Sequence, residues 1–238
     1  MSLIEVLALH ALVRARSHYR PLAPTVLCAI DIVRTLVERG VVAVPWPQLQ
    51  WPEHVMGEHT SYERIGWRLN WPAITDENLD VFLTGLLVAR TCDWPPPEDI
   101  LDLWRRFAAA EAIDYLGHRL AMAGLTREWS ADSAPVLAAM TRNRPLTQVR
   151  YFIWAAVRAG SSAYLRFRGE ERMTRNAVVR ELAVRPSRAD SGKWDIKGFE
   201  PKDLRPFSLA VDAFATHLLR VPAIYWQRTP SLEALQIC

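Results

Sequence analysis

The stretch RYFIWAAVRAGSSAYLRFRGEER, residues 150–172, combines an apolar helical period with arginines and aromatic side chains. With 3.6 residues per turn, residues 145–159 form one continuous apolar face. That face consists of Val149, Phe152, Ile153, Ala156 and Val157. The pattern predicts a core-facing helix that ends at Gly160.

A second face of the same predicted helix carries charge and aromatic surface. Arg150, Trp154 and Arg158 recur at i, i+4 and i+8, with Tyr151 beside them. Arginine can contact phosphate, and a flat ring can stack on a base or ribose. The face therefore indicates nucleic-acid binding, although arginine heads on a helix are also commonly solvated.

Residues 163–168, AYLRFR, alternate apolar and polar side chains before Gly169 and two glutamates. Alternation followed by a glycine turn predicts a hairpin around 163–185. The return arm NAVVRELAVR, residues 176–185, fits a helix equally well.

Helical periodicity extends through most of the chain, with Pro, Gly or Asn at the breaks. The predicted helices cover 2–16, 24–39, 76–91, 97–123, 132–141, 145–159 and 204–220. The region around 41–72 is instead rich in β-branched and aromatic residues interrupted by proline, which predicts a small irregular or β element. The fold class expected is mainly α, a compact multi-helix domain.

Three segments are expected along the chain. Residues 1–141 form a helical domain with a Trp/Pro-rich insert at 41–75, and residues 142–188 form a basic helix followed by a hairpin or helix. Residues 189–238 supply a linker and a C-terminal helix, because 186–203 is polar and broken by Pro and Gly.

The charge of the chain is concentrated in one segment. The net charge is only +3, yet residues 142–188 hold 11 arginines against 3 acidic residues, while residues 1–141 hold 12 arginines against 17. The longest apolar runs fall well short of the roughly 20 residues that a membrane helix needs. We therefore expect no membrane partner.

The three cysteines, Cys28, Cys92 and Cys238, are odd in number and widely spaced. They match neither a disulfide framework nor paired zinc ligands, which favours a reducing, cytoplasmic location.

The residues expected to contact nucleic acid lie in or near the opening stretch. They are Arg142, Arg144, Arg150, Trp154, Arg158, Tyr164, Arg166, Arg168, Arg172 and Arg175. The arginines would contact phosphates, and Trp154 with Tyr151 or Tyr164 would stack. No zinc-finger spacing, leucine zipper or ribonucleoprotein aromatic motif occurs, so binding to an RNA or DNA backbone by shape and charge is the favoured interpretation.

A backbone-binding face supplies affinity without a reaction. The chain is accordingly interpreted as a non-enzymatic subunit of a larger bacterial ribonucleoprotein or nucleic-acid-processing complex, with protein partners and no cofactor. One alternative is a protein-interaction module, such as an immunity or adaptor protein, whose basic surface binds an acidic partner.

A second alternative is a metal-dependent hydrolase built on EHVMGEHTSYE, residues 53–63. Glu53, Glu58 and Glu63 accompany His54 and His59 there. The two histidines are five residues apart and lie on different faces of a helix, unlike the i, i+4 pair of zinc proteases. Only a loop could gather them around a metal.

Overall fold

The structure, a computed structural model, describes residues 1–18, 20–44, 67–70, 75–89, 95–193, 196 and 208–236. The helices in chain order are α1 (Leu3–Ser17), α2 (Val26–Glu38), α3 (Asp76–Ala89), α4 (Pro97–Met122), α5 (Trp129–Asp132), α6 (Ala134–Asn143), α7 (Leu146–Arg166), α8 (Glu171–Arg188), α9 (Leu209–Ala213), α10 (Pro222–Gln227) and α11 (Leu232–Leu235). The mainly α prediction is confirmed.

Two compact units divide the chain. Unit 1 comprises residues 1–99 and 205–220, and unit 2 comprises residues 100–204 and 221–238. The three consecutive segments expected from the sequence divide the chain differently from these two units, and that organisation stays a prediction.

Unit 1 is built around α1. Residues 6–13 are all buried, as expected for a helix that is apolar on every side, and α2, α3 and α9 pack against it. A capping box starts the helix, because the Ser2 hydroxyl accepts from the Glu5 amide and the Glu5 carboxylate accepts from the Ser2 amide.

A short antiparallel β pair belongs to the same unit. Strand β1 (Val42–Ala43) pairs with β2 (Arg68–Leu69), with Val42 opposite Leu69. The β element expected around 41–72 is therefore present where the structure describes this region. Residues 45–66 and 71–72 lie outside the described residues.

Unit 2 contains most of α4 together with α5 to α8, α10 and α11. Its core includes the fully buried rings of Trp104, Phe107, Phe152 and Tyr225. Trp104 on α4 stacks on Tyr225 of α10, with ring centroids 6.4 Å apart. Helix α7 packs along α8 and also contacts α6 and α10.

The predicted hairpin around 163–185 is formed by helices rather than strands. Residues 163–166 are the last turn of α7, and 171–188 form α8, so the helical alternative for the return arm holds. The alternation over 163–168 was too short to define a strand. Helix α8 buries Thr174, Val178 and Leu182, which recur every four residues.

Gly160 does not end α7, which continues to Arg166. The glycine is buried, and a Cβ placed on it would lie 2.5 Å from Cγ2 of Val178 on α8. The expected helix end is therefore wrong. Because Gly160 has no side chain, α7 and α8 can pack closely at this position.

Candidate nucleic-acid interface

The turn between α7 and α8 sets the geometry of the arginine-rich hairpin. The Gly169 amide donates to the Tyr164 carbonyl at 2.8 Å, and the Phe167 amide donates to the Ala163 carbonyl at 2.8 Å. Glu170 then caps α8 by accepting from the Met173 amide. These bonds join two antiparallel helices in a short connection.

An outward stripe runs along α7, away from its buried face. It consists of Tyr151, Trp154, Arg158, Ser162 and Leu165, at spacings of i, i+3, i+7, i+11 and i+14. The rings of Tyr151 and Trp154 lie 6.1 Å apart between centroids, tilted by 30°. The guanidinium carbon of Arg158 lies 4.8 Å from the Trp154 ring centroid, which is cation–π range.

The hairpin tip, residues 164–173, exposes apolar side chains. Leu165 is 80% exposed, Tyr164 is 46% exposed and Phe167 is 40% exposed. Sequence reasoning identified Tyr164 but missed Leu165 and Phe167, because the alternation in 163–168 placed these two on the opposite side of a predicted strand from Tyr164. Large apolar side chains grouped at an exposed turn are typical of a binding surface.

The same tip carries three exposed arginines, Arg166, Arg168 and Arg172. Arg168 has a backbone φ of 52°, in the left-handed region that side-chain-bearing residues seldom adopt. Glycine would fit this position with less strain. Arg168 therefore occupies a position where its side chain adds backbone strain while remaining exposed.

Seven arginines of the segment 142–188 are exposed and have no ion pair with a carboxylate of the described residues. They are Arg142, Arg158, Arg166, Arg168, Arg172, Arg180 and Arg188. The acids nearest the tip are engaged locally: Glu170 caps α8, and Glu171 accepts from the Thr126 hydroxyl at 3.3 Å. The positive charge of this surface is therefore available to an external anion.

Arg150 does not belong to this surface, which corrects the sequence expectation. Its side chain is only 5% exposed and lies 3.8 Å from the carboxylate of Glu111 on α4. The guanidinium also lies 4.1 Å from the ring centroid of Trp226 and 5.1 Å from that of Tyr115. The buried side chain of Arg150 on α7 therefore contacts residues of both α4 and α10.

Two further expected contact residues are tied to carboxylates. Arg144 pairs with Asp190 and also donates to the Pro186 carbonyl at 3.2 Å. Arg175 pairs with Asp132 at 2.7 Å, although both side chains are nearly half exposed. The paired aspartates partly neutralise these two arginines, so they are weaker candidates for phosphate contact than the seven above.

The metal-site hypothesis on residues 53–63, including His54 and His59, lies outside the described residues. Within the part of the chain that the structure describes, no group of three or more His, Cys, Asp or Glu side chains is placed to hold a metal ion.

A different histidine cluster lies inside unit 1. Nε2 of His10 is 3.2 Å from the Thr84 hydroxyl and 3.2 Å from an Asp80 carboxylate oxygen, and its ring meets His217 edge-on at 5.6 Å. Burial lowers the pKa of His10 to about 4, against an opposing effect of Asp80. Burial also lowers the pKa of His217. At neutral pH the His10 ring is an uncharged, hydrogen-bonded part of the core.

The fold and the surface together define a mainly α-helical protein with an arginine-rich helical hairpin. No helix among the described residues has both the length and the apolar character needed to cross a bilayer. Neither a known protein family, nor a curated protein, nor a solved structure matches the chain.

Proposed function

We propose that this protein binds the sugar–phosphate backbone of nucleic acid through the α7–α8 hairpin. The observation that carries the proposal is the group of seven exposed arginines in one segment that have no carboxylate partner among the described residues. The phosphates of a nucleic-acid backbone are closely spaced negative charges that can pair with such arginines. The protein would act as a non-enzymatic subunit of a larger assembly, because backbone contacts give affinity without a reaction.

The uneven charge supports a polyanion rather than general solubility. Residues 1–141 have a net negative charge, residues 189–238 are balanced, and the whole chain carries only +3. Arginine is also the residue whose planar fork matches phosphate and stacks on bases. Binding of this kind depends steeply on salt.

The test is fluorescence anisotropy of labelled oligonucleotides over a range of salt concentrations. The variant Arg158→Gln, Arg166→Gln, Arg172→Gln removes one arginine from the middle of α7 and two from the hairpin tip. Each lost phosphate contact lowers the salt slope by about 0.7 for a single strand or 0.9 for a duplex, so a fall of about 2 to 3 is expected. Affinity should weaken across all sequences.

The charge-matched control is Arg68→Gln, Arg106→Gln, Arg228→Gln, at three exposed arginines outside the segment 142–188. It should keep the wild-type slope. Equal losses in both triple variants, or no binding by the wild type at low salt, would overturn the proposal. Co-purification of a stoichiometric acidic protein after nuclease treatment would then favour the interaction module.

Arg168→Gly separates charge from folding. Relief of the left-handed strain is expected to raise the Tm slightly, while loss of the side chain weakens binding. A variant that is more stable yet binds less well cannot be explained by misfolding.

A further inference from the structure

The aromatic side chains beside the arginines bear on which form of nucleic acid is bound. Phosphate contacts alone serve duplexes and single strands equally. Aromatic platforms gain stacking energy only from bases whose faces are free, which a duplex buries in its own stack. We infer that the α7–α8 hairpin selects single-stranded nucleic acid, an inference that rests on the proposed function.

The outward stripe has the length and composition for a single strand. Fourteen residue steps separate Tyr151 from Leu165 along α7, or about 21 Å at 1.5 Å per residue. That distance accommodates several nucleotides. Tyr151 and Trp154 are half-buried, so each ring is held by its neighbours and leaves part of its surface to a ligand.

The arginine of the stripe contributes a second kind of platform. Its guanidinium carbon lies 4.8 Å from the centroid of the Trp154 ring. A guanidinium plane held this way can stack on a base as well as contact phosphate. Arg158 therefore combines both functions at the middle of the stripe.

The hairpin tip adds further exposed rings at the C-terminal end of α7. Tyr164 and Phe167 are exposed by 46% and 40%, and the same tip carries Arg166, Arg168 and Arg172, which have no ion pair to a described carboxylate. The Tyr164 ring also lies against the turn, because a Cβ at Gly169 would be 3.4 Å from it. An exposed ring braced by the backbone loses little freedom when a base stacks on it.

The combination of aromatic rings and arginines on this hairpin distinguishes it from a surface suited to an acidic protein or an anionic bilayer. Both of those ligands would use the arginines, but neither presents flat faces repeated along a phosphate chain. The observations accordingly favour a strand of unpaired nucleotides.

The experiment compares a labelled mixed-sequence strand of about 20 nucleotides, longer than one typical site, with the same strand annealed to its complement. The double variant Tyr164→Leu, Phe167→Leu keeps apolar side chains and removes the flat rings. We expect the wild type to prefer the single strand. The variant should lose at least about tenfold for the single strand and change by less than about twofold for the duplex.

Phe82→Leu is the matched control, because Phe82 is 54% exposed on α3 in unit 1. It should bind both probes as the wild type does. Circular dichroism and Tm of each variant establish that the fold is retained. Photocrosslinking of the wild type to a strand containing 5-iodouracil, mapped by mass spectrometry, should place adducts at Tyr164 or Phe167.

The outcomes separate the two proposals. If neither probe binds at low salt, the proposed function itself fails. If both bind equally, or the duplex binds more tightly, and the Leu variant keeps its affinity, backbone binding stands and the single-strand inference is overturned. Crosslinks confined to unit 1 would also overturn it.

Discussion

Arg150 and Arg158 lie two turns apart on α7, yet one is buried and the other faces solvent. The difference comes from their surroundings. Arg150 meets Glu111 and the rings of Tyr115 and Trp226, whereas Arg158 rests on Trp154. The two arginines therefore have separate roles, stability for the first and ligand contact for the second.

Replacing Arg150 tests this division. Arg150→Met leaves the Glu111 carboxylate buried without its cation, so the free energy of unfolding should fall by about 3 kcal/mol. Urea unfolding followed by circular dichroism measures it. The control Arg158→Met, on the same helix, should change stability by no more than about 0.5 kcal/mol. Equal effects would contradict the burial of Arg150.

At the scale of elements, the contact between α7 and α8 depends on a missing side chain. The atom nearest a Cβ at Gly160 belongs to Val178, a β-branched residue with little freedom to move aside. The helices must therefore separate if the glycine gains a methyl group. Their separation would also displace the arginines on the two outward faces.

Gly160→Ala should lower the free energy of unfolding by roughly 1–3 kcal/mol, despite the higher helix propensity of alanine. Gly85→Ala is the matched control, because nothing lies within 4 Å of a Cβ there and it sits inside α3. That change should raise stability by up to about 1 kcal/mol. Thermal unfolding of both variants checks the pair, and a stabilising Gly160→Ala would show that the helices are not in close contact.

At the scale of the whole molecule, acid should destabilise the protein through His10. The folded pKa is about 4 and the usual value is 6.5, so the unfolded chain takes up a proton first as the pH falls. The stabilisation from the neutral ring is complete above about pH 6.5 and is lost as the pH falls towards 4, amounting to about 3 kcal/mol at most.

Urea unfolding measured from pH 7.5 down to pH 4 tests this behaviour. The slope of the unfolding free energy against pH reports how many more protons the unfolded chain binds than the folded one. His10→Gln should lower that number by up to about one within this window. His217 contributes in the same direction, because burial also lowers its pKa. Coincident slopes for the wild type and His10→Gln would exclude His10 as the group responsible.

The candidate surface was only partly predictable from the order of residues. Arg158, Arg166, Arg168 and Arg172 were identified from the clustering of charge, and the structure places them in solvent. Arg150 was assigned to the same face because its spacing fits, but position on a helix does not reveal what packs against it. Glu111 lies too far along the chain for any local pattern to pair it with Arg150.

The sequence by itself determined the helical character of this protein and the concentration of arginine between 142 and 188, since periodicity and charge are properties of neighbouring residues. Only the tertiary structure decided that the segment 163–185 forms two helices joined by a turn, and which of its arginines have no ion pair with a described carboxylate. Helix α8 buries one face mainly against α7, and the carboxylates that bind Arg150 and Arg175 come from other helices. Burial and ion pairing depend on segments that the chain brings together only by folding.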